Sequence, residues 1–157
     1  MPEKWIGLVA GRNEVLAVEV EVPDGDDPMV IQADFAWPLQ KGDRPTAYRV
    51  LHQQVANYCR EHQITRAVVK ESAVNRGGTT KGHLESAEVR GVVISAVATI
   101  APTEVIAKAS VSRTFGSRKA DEYLRDNEFW RDQVSGDLRS GSREAALILL
   151  AARNASS

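Results

Sequence analysis

The stretch RAVVKESAV, Arg66 to Val74, runs three buried-type residues, Ala67, Val68 and Val69, straight into Lys70 and Glu71. An apolar run this short, bounded by a loop, has the character of a strand in the interior of a sheet. The chain then opens into Asn75-Arg76-Gly77-Gly78-Thr79-Thr80-Lys81-Gly82, which is basic and glycine-rich. A core strand that ends in Lys-Glu above a basic loop admits three readings. It is a metal-bound nucleic-acid site, an inactive relic of one, or a solvated strand end.

Elements on either side give the strand its setting. Residues 4–11, KWIGLVAG, read as a short buried strand, and residues 14–21, EVLAVEVE, alternate apolar with polar as a strand with one wet face does. Gly11-Arg12-Asn13 is the turn between them, and Pro23 to Pro28 is a second turn leading into a strand from Met29 to Trp37. From Arg44 to His62 the apolar residues Ala47, Leu51, Val55, Tyr58 and Cys59 fall at helical spacing. The strand from Ile64 to Lys70 therefore arrives after a helix, which makes it parallel to the first strand. A second helix spans His83 to Ile100; Gly91 within it suggests close approach of another backbone. Thr103 to Ala107 reads as a fifth strand, Ser117 to Arg131 as a third helical stretch, Ser135 to Gly141 as a polar connection, and Arg143 to Arg153 as a last helix capped by Ser142. The order predicts one α/β domain over residues 1–153. Its mixed five-stranded sheet combines a three-strand antiparallel meander with parallel strands, flanked by helices, and residues 154–157 form a disordered tail.

Composition narrows the setting. Hydrophobic residues at 43% and charged residues at 26% fit a globular protein with its own core. The lone Cys59 excludes an intramolecular disulfide and points to a reducing, cytoplasmic compartment. No apolar run approaches the ~20 residues of a membrane span, so no membrane partner is expected. Net charge is only −1, yet residues 61–120 hold nine Lys/Arg against five Asp/Glu, a local +4. A basic face of that kind attracts phosphates even when the whole chain is near neutral.

The element order resembles the ribonuclease H-like arrangement, and residues 64–152 resemble the RuvC Holliday-junction resolvase family. ITRAVVKESAV is similar to that family's strand ending in a catalytic glutamate, with Glu71 in its place. EVRGVVISAVA at 88–98 is similar to its "ARGV" helix. Pro102, the short strand after it, the segment Ser112-Arg113-Thr114-Phe115-Gly116 and the helix SREAALILLAA follow in the family's order. The resemblance implies a nuclease in which two divalent ions activate water and steady the leaving oxygen of a phosphodiester. It implies magnesium or manganese held by carboxylates from the first strand, the fourth strand and the last helix.

Here the pattern breaks. The family's first-strand aspartate falls at Val9, and of the two last-helix acids Glu144 matches the second while Gly141 stands at the first. The candidate catalytic residues are Glu71 and Glu144, with Asp137 near enough in sequence to assist; Glu71 and Glu144 are the candidate metal ligands. Each also has a plain structural reading. Glu71 is a solvated acid or pairs with Lys70 or Lys81, and Glu144 favours the start of a helix through its dipole. The candidate nucleic-acid-binding residues are Lys70, Arg76, Lys81, Arg113, Arg118 and Lys119. The expected function is a RuvC-like nucleic-acid-binding domain that is catalytically degenerate and requires no cofactor, with DNA favoured over RNA and a homodimer formed through the small residues of the second helix. The alternatives are an endonuclease working with the reduced carboxylate set and magnesium or manganese, and a protein-interaction scaffold without nucleic acid.

Overall fold

A computed structural model of the chain describes residues 2–72, 77–116 and 118–156. The meander is present as β1 (Glu3–Ala10), β2 (Glu14–Val22) and β3 (Met29–Pro38), paired antiparallel. Helix α1 (Arg44–Glu61) returns the chain to β4 (Arg66–Lys70), which lies parallel to β1. Helix α2 (Lys81–Ala98) leads to β5 (Thr103–Ile106), parallel to β4. Then come α3 (Lys108–Phe115), α4 (Ala120–Arg125), α5 (Asn127–Gln133), β6 (Val134–Ser135), a 3-10 turn (Ser140–Ser142) and α6 (Arg143–Ala155).

The sheet has six strands in the order β5-β4-β1-β2-β3-β6 rather than the expected five. The extra strand is two residues long and runs parallel to Met29 and Val30. A two-residue strand has no periodicity, and it sits where the sequence reads as helix end and polar connection.

The stretch expected as one helix from Ser117 to Arg131 is two short helices. Asp126 divides them, because its carboxylate accepts from the amides of Glu128 and Phe129 at 3.1 and 3.2 Å and so starts α5. Helix α3 forms upstream, in a segment rich in serine and β-branched residues that dilute helix propensity. The last helix runs two residues past the expected Arg153. Ser142 sits at its amino-terminal cap position, but its hydroxyl bonds Asp34 and caps no amide.

Each face of the sheet carries a core. On one face Ile6, Leu8, Ala67 and Val69 meet Leu51, Val55 and Cys59 of α1 and Val89 and Val93 of α2. On the other, Trp5, Val18, Val20 and Val68 meet α6, with Val111, Tyr123 and Trp130 closing the edge. Strand alternation sorts β1 accordingly: Ile6 and Leu8 face α1 and α2, while Trp5, Gly7 and Val9 face α6. Helix α6 buries Ala145 through Ala152 without a break, because β1, β2 and β4 lie under it and α3 and α4 pack beside it.

Gly7 sets how deep α6 sits. A β-carbon there would lie 2.3 Å from the Ala145 carbonyl oxygen and 2.9 Å from Leu149. The bare backbone lets the first turn of α6 rest on β1, and that brings Glu144 down to the carboxyl ends of β1 and β4. Gly91 behaves otherwise. A β-carbon on it would meet nothing within 4 Å, so the close approach expected from its place in the helix is not made among the described residues.

Candidate nucleic-acid interface

The carboxyl ends of β1 and β4 form the floor of the candidate site. Leu8 pairs with Val69 across the two strands, so Val9 and Lys70 occupy the next position along. Val68 faces α6, and alternation carries Lys70 to that same face. The amide of Glu71 extends the ladder by one bond, to the Ile106 carbonyl at 2.9 Å, and its side chain is exposed just past the end of β4. Val9, Lys70 and Glu144 thus share one face of the strand ends. The Lys70 ammonium and the Glu144 carboxylate form an ion pair, each side chain about three-quarters shielded from solvent.

A second ion pair lies alongside. Lys108, in the first turn of α3, contacts Asp121 in the first turn of α4 at 2.6 Å. The Lys108 hydrogen bond and its charge, helped by the charges of Arg125 and Lys70, hold the Asp121 carboxyl below its ordinary range. The charge of Lys70 thus acts on Asp121 as a minor contribution beside Lys108, as well as pairing with Glu144.

A divalent ion does not fit this arrangement. Magnesium takes hard oxygen donors, several of them carboxylates converging on one point. Val9 offers no donor, Gly141 offers no side chain, and Lys70 brings a cation to Glu144. Glu71 is exposed at the strand end. Among the described residues no three acids, histidines or cysteines converge to hold a metal.

Asp137 sits apart from both acids. It is exposed between β6 and the 3-10 turn, and it lines one cleft with Asp34 and Arg139 and another with Trp130 and Arg143. Lys70, Glu71 and Glu144 line neither cleft.

The basic candidates divide by what they already touch. Arg118 is committed within the chain: it bonds Asp126 at 2.9 Å and the Glu122 carbonyl at 3.0 Å, and its guanidinium lies 4.6 Å from the centre of the Tyr123 ring. Lys70 is committed to Glu144. Lys81, Arg113 and Lys119 are exposed and form no ion pair among the described residues. Lys119 lines a shallow surface cleft with Lys108, Ser112 and Asp121. Arg76 lies outside the described residues.

Three groups that position the site give only weak signals in the sequence. Asp34 on β3 accepts from the Arg139 guanidinium at 2.9 Å, from the Arg139 amide at 2.8 Å and from the Ser142 hydroxyl, which ties the start of α6 to the sheet. Glu85, buried in α2, meets Arg12 at 3.0 Å and Arg44 at 2.8 Å, joining the β1–β2 turn to the starts of both helices. Gly7 is the third, and a glycine inside a β-branched strand is a recognisable mark of close backbone approach.

The meander, the parallel strands reached through helices and the long buried helix over β1 define a ribonuclease H-like fold of the RuvC type. No protein-family model matches the chain, and no curated protein matches it by sequence. Among solved structures, the chain superposes on Thermus thermophilus RuvC with a TM-score of 0.74 at 12% identity, covering 98% of this chain and 95% of that one. Thermus thermophilus RuvC in complex with Holliday junction substrate gives a TM-score of 0.72 at 11% identity, covering 98% and 94%. The yeast mitochondrial Holliday junction resolvase gives 0.63 at 11% identity, covering 97% and 78%.

Proposed function

We propose that the protein is a RuvC-like nucleic-acid-binding domain that holds DNA through its phosphates and does not cut it. The Lys70–Glu144 ion pair carries this reading, since it sets a cation at the strand ends beside the apolar Val9. Val9 and Gly141 stand at two of the positions where the family resemblance calls for metal-binding acids. The fold shared with a RuvC bound to a Holliday junction supports DNA as the partner class. The exposed Lys81, Arg113 and Lys119 supply cations for backbone contacts, which give affinity without sequence preference.

Fluorescence anisotropy with labelled four-way junction, duplex, single-stranded DNA and RNA, repeated across salt concentrations, tests the binding. Affinity that falls steeply with salt is expected, strongest for DNA. Affinity indifferent to salt would remove the phosphate contacts from the proposal. Incubating the same DNAs with magnesium or manganese is expected to leave them intact. Cleavage that disappears in Glu71→Gln would establish instead an endonuclease using the reduced acid set. A second copy of the chain completes the proposal, paired through the α2 face that exposes Gly91 and Ser95 next to Tyr48 and His52 of α1. Sedimentation equilibrium of the wild type and of Gly91→Arg reads that pairing directly.

A further inference from the structure

We infer that Lys70 is a resident cation, a tethered ammonium that does for this cleft what a bound divalent ion does for a carboxylate-lined one. It neutralises Glu144 at the strand ends and makes DNA binding independent of divalent metal. The inference rests on the DNA-binding reading and goes beyond it by assigning one residue as the reason no metal is needed.

Three observations lead there. First, Lys70 follows the buried Val68 and Val69 on a parallel strand, so its stem is anchored in the sheet and its ammonium stands at the strand's end. Second, that ammonium pairs with Glu144, which Gly7 allows to descend onto the same spot. Third, the charge of Lys70 also acts on Asp121, which is already paired with Lys108. Two ammonium groups thus balance two carboxylates. The Lys70 charge lowers the electrostatic demand for an added ion at Glu144, and a fixed positive charge also repels one. An approaching phosphate meets a site whose acids are already neutralised. A metal-dependent site reaches that condition only after loading.

The test uses the full chain and manganese alone. Calorimetric titration of manganese onto the wild type, without DNA, is expected to show no saturable binding. In Lys70→Glu, two carboxylates replace an ion pair, and saturable manganese binding is expected, at least about tenfold tighter than the weakest affinity the wild-type titration would have detected. Lys70→Gln, neutral and close in length, is expected to fall between them, and circular dichroism of both variants reports whether the fold is kept. The idea is overturned if Lys70→Glu binds manganese no more tightly than the wild type does, whether both bind or neither does, or if the wild type binds manganese and Glu144→Gln abolishes that binding. A second arm measures junction DNA affinity of the wild type in chelator and in magnesium at matched ionic strength. Agreement within about twofold is expected, and binding that appears only with magnesium overturns the inference. Absence of DNA binding in both buffers would instead defeat the DNA-binding reading, and the manganese arm would still decide the role of Lys70.

Discussion

The Lys70 ammonium at the end of β4 meets the Glu144 carboxylate in the first turn of α6. The contact joins a strand to the helix that crosses it, across 73 intervening positions of chain. Both side chains keep roughly a quarter of their exposure, so solvent weakens the attraction and the pair is worth about 0.5–1 kcal/mol. Urea unfolding of Lys70→Gln, Glu144→Gln and the double variant measures it. The double variant is expected to lose less stability than the two singles together, by that amount. Additive losses would mean that the two groups do not interact in solution.

Two glycines predict opposite outcomes. In Gly7→Ala the new methyl group meets the Ala145 carbonyl at 2.3 Å, and neither backbone can yield without lifting α6 from β1. A loss of about 2–4 kcal/mol is expected, as for other overpacked cores. Gly91→Ala adds a methyl group with nothing within 4 Å, in the middle of a helix. There the gain in helix propensity is expected to raise stability by about 0.5–1 kcal/mol. Thermal unfolding of both variants beside the wild type checks the pair of signs, and a stabilised Gly7→Ala would contradict the packing of α6 described above.

The contrast between these glycines also shows what the sequence can and cannot carry. The meander and the two crossovers are legible because period-two and period-3.6 patterns alternate cleanly from Trp5 to Ile106. Residues 108–133 are less so. There, Asp126 breaks one apparent helix in two, and the aromatic cluster of Phe115, Tyr123, Phe129 and Trp130 packs across the break with no regular period. At the site, the residue types are legible and their pairing is not. Lys70 and Glu71 are adjacent in sequence, and only the fold reveals that Lys70 is the one that meets Glu144. Asp34 reads as a polar residue on a strand, and only the fold reveals that Arg139 and Ser142 converge on it.

Stability should fall at both ends of the pH scale, for separate reasons. Burial works to raise the Asp34 carboxyl, but the bonds from Arg139 and Ser142 outweigh it and hold the group below its ordinary range. A depressed folded-state value means stability that is present above the ordinary ~3.9 and is lost as pH falls below it. Tyr58 shows the reverse. Burial, followed by the hydrogen bond to the buried Glu19, raises its phenol above the ordinary ~10. The folded state keeps a proton that the unfolded chain gives up, so this stability is intact below about pH 10 and declines above it. Urea midpoints across pH should show both limbs. Asp34→Asn is expected to flatten the acid limb, and Tyr58→Phe the alkaline one. Tyr58→Phe also leaves Glu19 with His62 as its remaining side-chain partner among the described residues, at a cost of about 1–3 kcal/mol at neutral pH. If Asp34→Asn leaves the acid limb unchanged, another carboxylate sets it.

Separating cations that serve DNA from cations that serve the fold gives the last prediction. Each phosphate contact made by a Lys or Arg adds about 0.9 to the slope of log affinity against log salt on duplex DNA. Lys81→Ala, Arg113→Ala and Lys119→Ala remove exposed groups with no ion pair among the described residues, so each is expected to shallow the slope by about that amount and leave the melting temperature nearly unchanged. Arg118→Ala should do the opposite, because it removes the guanidinium from the Asp126 carboxylate and the Glu122 carbonyl and uncovers the Tyr123 ring. It should lower the melting temperature while the slope stays. Glu144→Gln adds a further distinction. It releases Lys70 and removes a negative charge, so affinity for DNA should rise and the slope should steepen by about one contact. Unchanged slopes in all three lysine and arginine variants would place the DNA on another face of the protein.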